Sequence, residues 1–180
     1  MKTTLLALTA AACLPAFAAT VTHTFSGVTT SNWVAEGPIT SEFPIGTKWT
    51  VTAQWDSASA PLFSSDTQSQ YRLTKFTTTL QGKTGTWTTS SLADKASFTL
   101  NKFGSDEIQF TSGWGPANHT NQTIGDLAPY SINVTLKDPT GKAISTLNSA
   151  PSAIDLAKWD LVNSEFKIYL SDSGLTGIYL

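Results

Sequence analysis

The chain has 180 residues, 40% of them apolar and only 13% charged, with a net charge of −2, two histidines and one cysteine. An acidic balance this mild, with its basic residues scattered, builds no positive stripe for a phosphate backbone, which excludes nucleic acid as a partner. Thr and Ser together fill 49 positions, a composition suited to the exposed faces of β-strands rather than to solvated helices.

Residues 1–18 read as a cleavable signal peptide: Lys2 precedes the apolar run Leu5 to Leu14, and Ala16-Phe17-Ala18 supplies small residues for cleavage before Ala19. Cys13 after three alanines offers lipidation as an alternative, but Ala10 stands where that signal wants an aliphatic residue. Cleavage removes Lys2 and Cys13, and with the only cysteine go disulfides, thiol catalysis and cysteine-ligated metal. The apolar run is shorter than the ~20 residues a membrane helix needs, so no transmembrane segment is expected in the mature chain. Residues 19–180 are one domain's worth of chain, long enough to be held by packing alone.

In chain order, Val21, His23 and Phe25 share one face of a first strand that ends at Gly27, read as a bulge or bend. Asn32 to Gly46, with two prolines and two glycines, reads as a loop. Trp49, Val51, Ala53 and Trp55 then alternate with polar residues as a half-buried strand. Asp56 to Gln70 reads as a long polar connection. Leu73 to Gln81 and Thr84 to Thr88 form a hairpin whose glycines, Gly82 and Gly85, supply left-handed turn conformations.

A second hairpin joins Ser97 to Lys102 with Glu107 to Ser112 and sets Phe98 and Leu100 against Ile108 and Phe110. After the loop Gly113 to Pro129, Ile132, Val134 and Leu136 alternate again up to the turn Asp138-Pro139-Thr140-Gly141, from which a short strand, Ala143 to Leu147, pairs back. Ser152 to Leu161 reads as the one helix, capped by Ser152. Phe166, Ile168 and Leu170, a turn at Asp172-Ser173-Gly174, and a strand with Leu175, Ile178 and Leu180 close the chain. These nine or ten strands predict an all-β fold, an antiparallel two-sheet β-sandwich with one short helix, for which jelly-roll wrapping or barrel closure are alternative topologies.

The stretch Phe43-Pro44-Ile45-Gly46-Thr47-Lys48-Trp49-Thr50-Val51 running into Trp55-Asp56, then Tyr71 with Leu73-Thr74-Lys75-Phe76, resembles bacterial exported β-rich proteins of the kind that often carry a PEP-CTERM sorting tail. Asp138-Pro139-Thr140-Gly141, Ile154-Asp155-Leu156 before Trp159-Asp160, and Phe166 to Leu180 are similar to that group's second half. The 180 residues depart from the pattern in having no Pro-Glu-Pro, terminal apolar helix or basic cluster. The resemblance implies export to the cell surface or beyond it and brings no catalytic residue.

No chemistry-bearing motif stands out. There is no Gly-x-Ser-x-Gly elbow, Asp106 and Glu107 fall on opposite faces of a strand, and His23 and His119 are too separated to share a metal. No catalytic residue, metal site or cofactor is expected, and loop aspartates such as Asp56 and Asp138 read as turn residues rather than calcium ligands. The most suggestive segment is Gly113 to Thr123, where Trp114 stands between glycines among amides and hydroxyls, the groups that stack on and bond to sugars. Trp114, Asn118, His119, Asn121 and the loop-borne Trp33 are therefore the candidate ligand-binding residues. Sequons at Asn118, Asn121 and Asn133 arise readily in so Thr-rich a chain and are assigned no role. The expected function is a non-catalytic structural or interaction module with glycans or surface proteins as partners, carbohydrate binding through Trp114 being the sharper alternative and a polysaccharide-active enzyme the remaining one.

Overall fold

The computed structural model describes residues 19–30, 40–120, 123 and 127–170, and the backbone of 38, 39, 171 and 175–179. The leader expected over 1–18 and the turn Asp172-Ser173-Gly174 lie outside the described residues. Among the described residues eleven strands form two antiparallel sheets packed as a sandwich. The smaller sheet takes β1 (Thr20–Val28), β2 (Lys48–Asp56), β5 (Lys75–Gln81) and β6 (Thr86–Ser90) in that order. The larger runs β11 (Leu175–Tyr179), β10 (Glu165–Ser171), β9 (Ala128–Asp138), β8 (Asp106–Thr111), β7 (Ser97–Lys102), β4 (Gln68–Arg72) and the two-residue β3 (Phe63–Ser64). From β7 onward the chain is a simple meander, and the sheets are exchanged only at β2 to β3, β4 to β5 and β6 to β7, so the path is not the wrap of a jelly roll.

Alternation sets which side chains meet. In the larger sheet Tyr71, Phe98, Phe110, Val134 and Phe166 lie opposite one another across five successive strands, all buried. The smaller sheet answers with Phe25, whose ring stands 5.1 Å from Phe110, with Trp55 at 5.3 Å from Phe98, and with Trp49 at 4.2 Å from Phe166. Each such side chain contributes about 1.5–3 kcal/mol by leaving water, so this aromatic layer is the main adhesive between the sheets. The expected pairs Phe98 with Phe110 and Leu100 with Ile108 are both in register.

Five local expectations are corrected. Gly27 is no bulge, because the β1–β2 register runs unbroken from Thr20↔Asp56 to Val28↔Lys48; the indole of Trp49 lies 2.7 Å from where a Cβ would project, so the missing side chain makes room for the ring. The loop at 32–46 contains an α-helix, α1 (Pro38–Glu42), too short for periodicity to register. The polar stretch before Gln70 holds the β3–β4 hairpin, whose serines pair hydroxyl to hydroxyl, Ser64 with Ser69 at 2.9 Å. Gly82 and Gly85 close the β5–β6 hairpin without left-handed φ, and at Gly82 the Glu42 carboxylate occupies the space of a side chain.

The fifth concerns the segment 139–164. No strand forms at 143–147, since Asp138 and Asp106 take the N–H groups of Lys142, Ala143 and Ile144 that a ladder would need. The helix shrinks to one 3-10 turn, Leu156–Lys158, capped by Asp155 rather than Ser152. It stops there because the Asp160 carboxylate accepts the N–H groups of Val162 and Asn163 in a turn of its own, leaving Leu161 exposed. Among the described residues no helix is long and apolar enough to cross a membrane.

Candidate functional site

The loop after β8 is shaped by two glycines. Gly113 (φ 79°) and Gly115 (φ 108°) both adopt the left-handed region, and the backbone oxygen of Lys95 comes 2.5 Å from where a Cβ of Gly113 would stand, so no other residue fits there. Between them the backbone turns Trp114 outward, leaving it 59% exposed. A 3-10 turn at Pro116–Asn118 then brings the chain back across the end of the sandwich.

This strap is tied to both sheets. Toward the larger, the Gly115 N–H donates to the Tyr130 carbonyl (2.8 Å); toward the smaller, Leu92 N–H donates to Asn118 O and Thr120 N–H to Ser90 O, both at 2.8 Å. Beneath Trp114 a chain of bonds runs from the Ile132 N–H to Ser112 Oγ (2.8 Å), from Ser112 Oγ to His119 Nε2 (2.6 Å), and from His119 Nδ1 to the Gly115 carbonyl (3.2 Å). A carbonyl only accepts, so Nδ1 carries the proton and Nε2 takes the Ser112 hydroxyl. His119 is buried, and burial pushes its pKa below the ordinary 6.5, partly opposed by the bond to Gly115, which keeps the ring neutral.

The strap's tryptophan does not stand alone. Tyr130 of β9 meets it edge-on, ring centroids 5.7 Å apart, and Tyr169 of β10 lies at 5.6 Å with an interplanar angle of 34°. Tyr130 is brought there by an irregularity in the β9–β10 ladder: Tyr169 pairs with Ser131 and Leu170 with Pro129, so Tyr130 is the extra residue of a bulge. Three rings from a loop and two strands thus form one partly exposed patch at the end of the larger sheet. Thr111 and Lys167 lie on the same outer face, one step along their strands and paired on either side of Asn133. Burial raises the Glu165 carboxyl, but its bond and charge contact with Lys167 (2.7 Å), with Lys137 beyond, outweigh this and hold it below its usual range, so the lysine nearest the rings is already paired.

Of the sequence-expected residues, Trp114 faces solvent, whereas Asn118 and His119 support it from behind: the Asn118 amide donates to the Trp114 carbonyl, and both His119 nitrogens are engaged inside the strap. These bonds tie both side chains into the strap itself. Trp33 and Asn121 lie outside the described residues. Tyr130 and Tyr169 are not among the sequence-expected residues; their signal in sequence is an aromatic near the same end of two neighbouring strands. Asn133 is buried in β9 with its amide donating to Ser131, which closes that sequon to glycosylation in the folded state. Asp106 is buried and Glu107 points outward to Asn101, as their adjacency on a strand requires. No protein-family model matches the chain, and neither does any curated protein or solved structure.

Proposed function

We propose that this is an exported, non-catalytic interaction protein whose partner is a glycan, bound on the platform of Trp114, Tyr130 and Tyr169. The observation that carries the reading is the exposure of Trp114 beside two tyrosines, on a strap that holds its backbone on both sides. Rings presented this way stack against the apolar C–H face of a pyranose, and the Tyr130 phenol offers a bond to its hydroxyls. Pre-organisation matters because a platform already ordered loses little entropy on binding. Export rests on the leader pattern of residues 1–18 and on the resemblance to exported β-rich proteins.

The test is retention on a panel of insoluble polysaccharides and mucin-type glycans, run with the wild type and Trp114→Ala. Expected is retention of the wild type that survives high salt, since no ion pair is invoked, and loss of at least about tenfold in affinity for the variant, equivalent to about 1.4 kcal/mol. Failure of both proteins to bind any glycan would return the platform to a structural cap and leave protein contacts as the module's role.

A further inference from the structure

At the other pole of the larger sheet, away from Trp114, residues 139–155 run without regular structure beside β7 and β8. There they help enclose a cavity of about 400 Å³. Ligand pockets typically span about 300–1,000 Å³, so the space suits a small molecule. Leu100, Ile108 and Trp159 give it an apolar lining, and residues 143–146 and 149–154 make up most of the rest of its wall.

The hydrogen bonds of that wall are lopsided. Several carbonyls of the segment are taken by side chains of the strands: the Lys102 ammonium donates to Gly141 O (3.1 Å) and Ile144 O (2.9 Å), the Tyr71 hydroxyl to Leu147 O (2.6 Å), and the Trp55 indole to Pro151 O (2.7 Å). Its amides are not matched in the same way. Lys142, Ala143 and Ile144 give theirs to buried carboxylates and Asn148 to Thr146, but those of 145–147, 149, 150 and 152–154 meet no acceptor among the described residues. Water serves the exposed ones. Ala150, however, is only 5% exposed and is one of the residues that line the cavity, which places an unmatched donor at the cavity wall.

Charge adds a direction. Lys158, exposed at the same cavity, makes no ion pair among the described residues, while the Asp155 carboxylate is turned back to cap the Ala157 N–H. A wall of donors with an uncommitted ammonium, over an apolar lining, is complementary to an anion with a hydrocarbon body. We propose that this cavity is a second binding site, independent of the aromatic platform, for small organic carboxylates: the alkyl or aryl body against Leu100, Ile108 and Trp159, the carboxylate toward the free amides and Lys158.

The experiment is a titration of the 15N-labelled full chain with octanoate and, separately, with octanamide, followed by amide chemical shifts and tryptophan fluorescence. Expected are octanoate shifts concentrated at Ala150, Ala153 and Ile154, an affinity at least about tenfold above that for octanamide, and loss of this preference in Lys158→Gln, whose exposed side chain leaves the fold untouched. Trp114→Ala should bind octanoate as the wild type does, which separates this site from the platform. Equal affinity for the amide, shifts scattered over the surface, or shifts gathered around Trp114 would each overturn the proposal.

Discussion

The two ends of the larger sheet solve the same problem in opposite ways. At the Trp114 end the chain crosses the sandwich as a strap whose amides and carbonyls bond to both sheets, with a buried Ser112–His119 pair beneath it. At the other end residues 139–155 are hung by their carbonyls from Lys102, Tyr71 and Trp55, and much of their amide side stays unmatched. One end is therefore fastened on both sides and presents a fixed surface; the other is fastened on one side and surrounds a space. Order in a loop follows less from regular structure than from how completely its backbone groups are answered.

Several substitutions bear on that contrast. The largest effect belongs to Phe110→Ala, which removes the ring that meets Phe25, Trp55 and Phe98 and lowers stability by about 3–5 kcal/mol by denaturant unfolding. Because that layer serves both ends, both should loosen together; a loss confined to one end would break the idea of a shared core. His119→Ala comes next, at about 2–3 kcal/mol, since it leaves the buried Ser112 hydroxyl without its acceptor and opens a hole under Trp114. Glycan retention should fall with it while octanoate binding persists. Tyr71→Phe deletes the bond to Leu147 O for about 1 kcal/mol and should free the 145–154 wall alone. Native-state hydrogen exchange sharpens the contrast without mutation: Gly115, Asn118 and Thr120 amides should be protected and those of Ser149, Ser152 and Ala153 should not.

The smallest effect is that of pH. The pKa of His119, and that of His23 packed against Phe25, are lowered by burial, so the unfolded chain takes up protons first as pH falls. Stability is then full above the unfolded value near 6.5 and declines as pH drops below it, the decline ending once the folded state also protonates. His119→Gln should flatten the slope between pH 7 and 5; an unchanged slope would assign it to other groups. A second acid limb lies lower, because the hydroxyl of Thr140 and then the amides of Lys142, Thr140 and Ala143 hold the Asp138 carboxyl at about 2. Its contribution is present above the ordinary aspartate value and is lost as pH falls toward 2.

Where side chains alternate, the sequence was enough. Val51, Ala53 and Trp55, or Phe166, Ile168 and Leu170, are buried because every second position is apolar, and the sandwich follows from many such runs. It failed where polar side chains do the work of a ladder. Nothing in the run Ala143 to Leu147 announces that Asp106, far away in sequence, accepts the Ile144 amide at 2.6 Å and so removes it from any strand. The candidate site divides in the same way. Trp114 between glycines, amides and hydroxyls was legible as a candidate, but its exposure and its two companions were not, since the bulge that brings Tyr130 beside it depends on β9 and β10 pairing one residue out of step.

The strap also bears on association. Among the described residues β6 is the border of the smaller sheet, the position at which a strand from a second molecule could add. Thr120 donates to Ser90 O, its hydroxyl accepts the Ser90 N–H, and Ser91 bridges His119, so the end of that border is already occupied from within the chain. Whatever holds Trp114 in place thereby also caps one end of a Thr-rich β-edge against pairing with a second molecule.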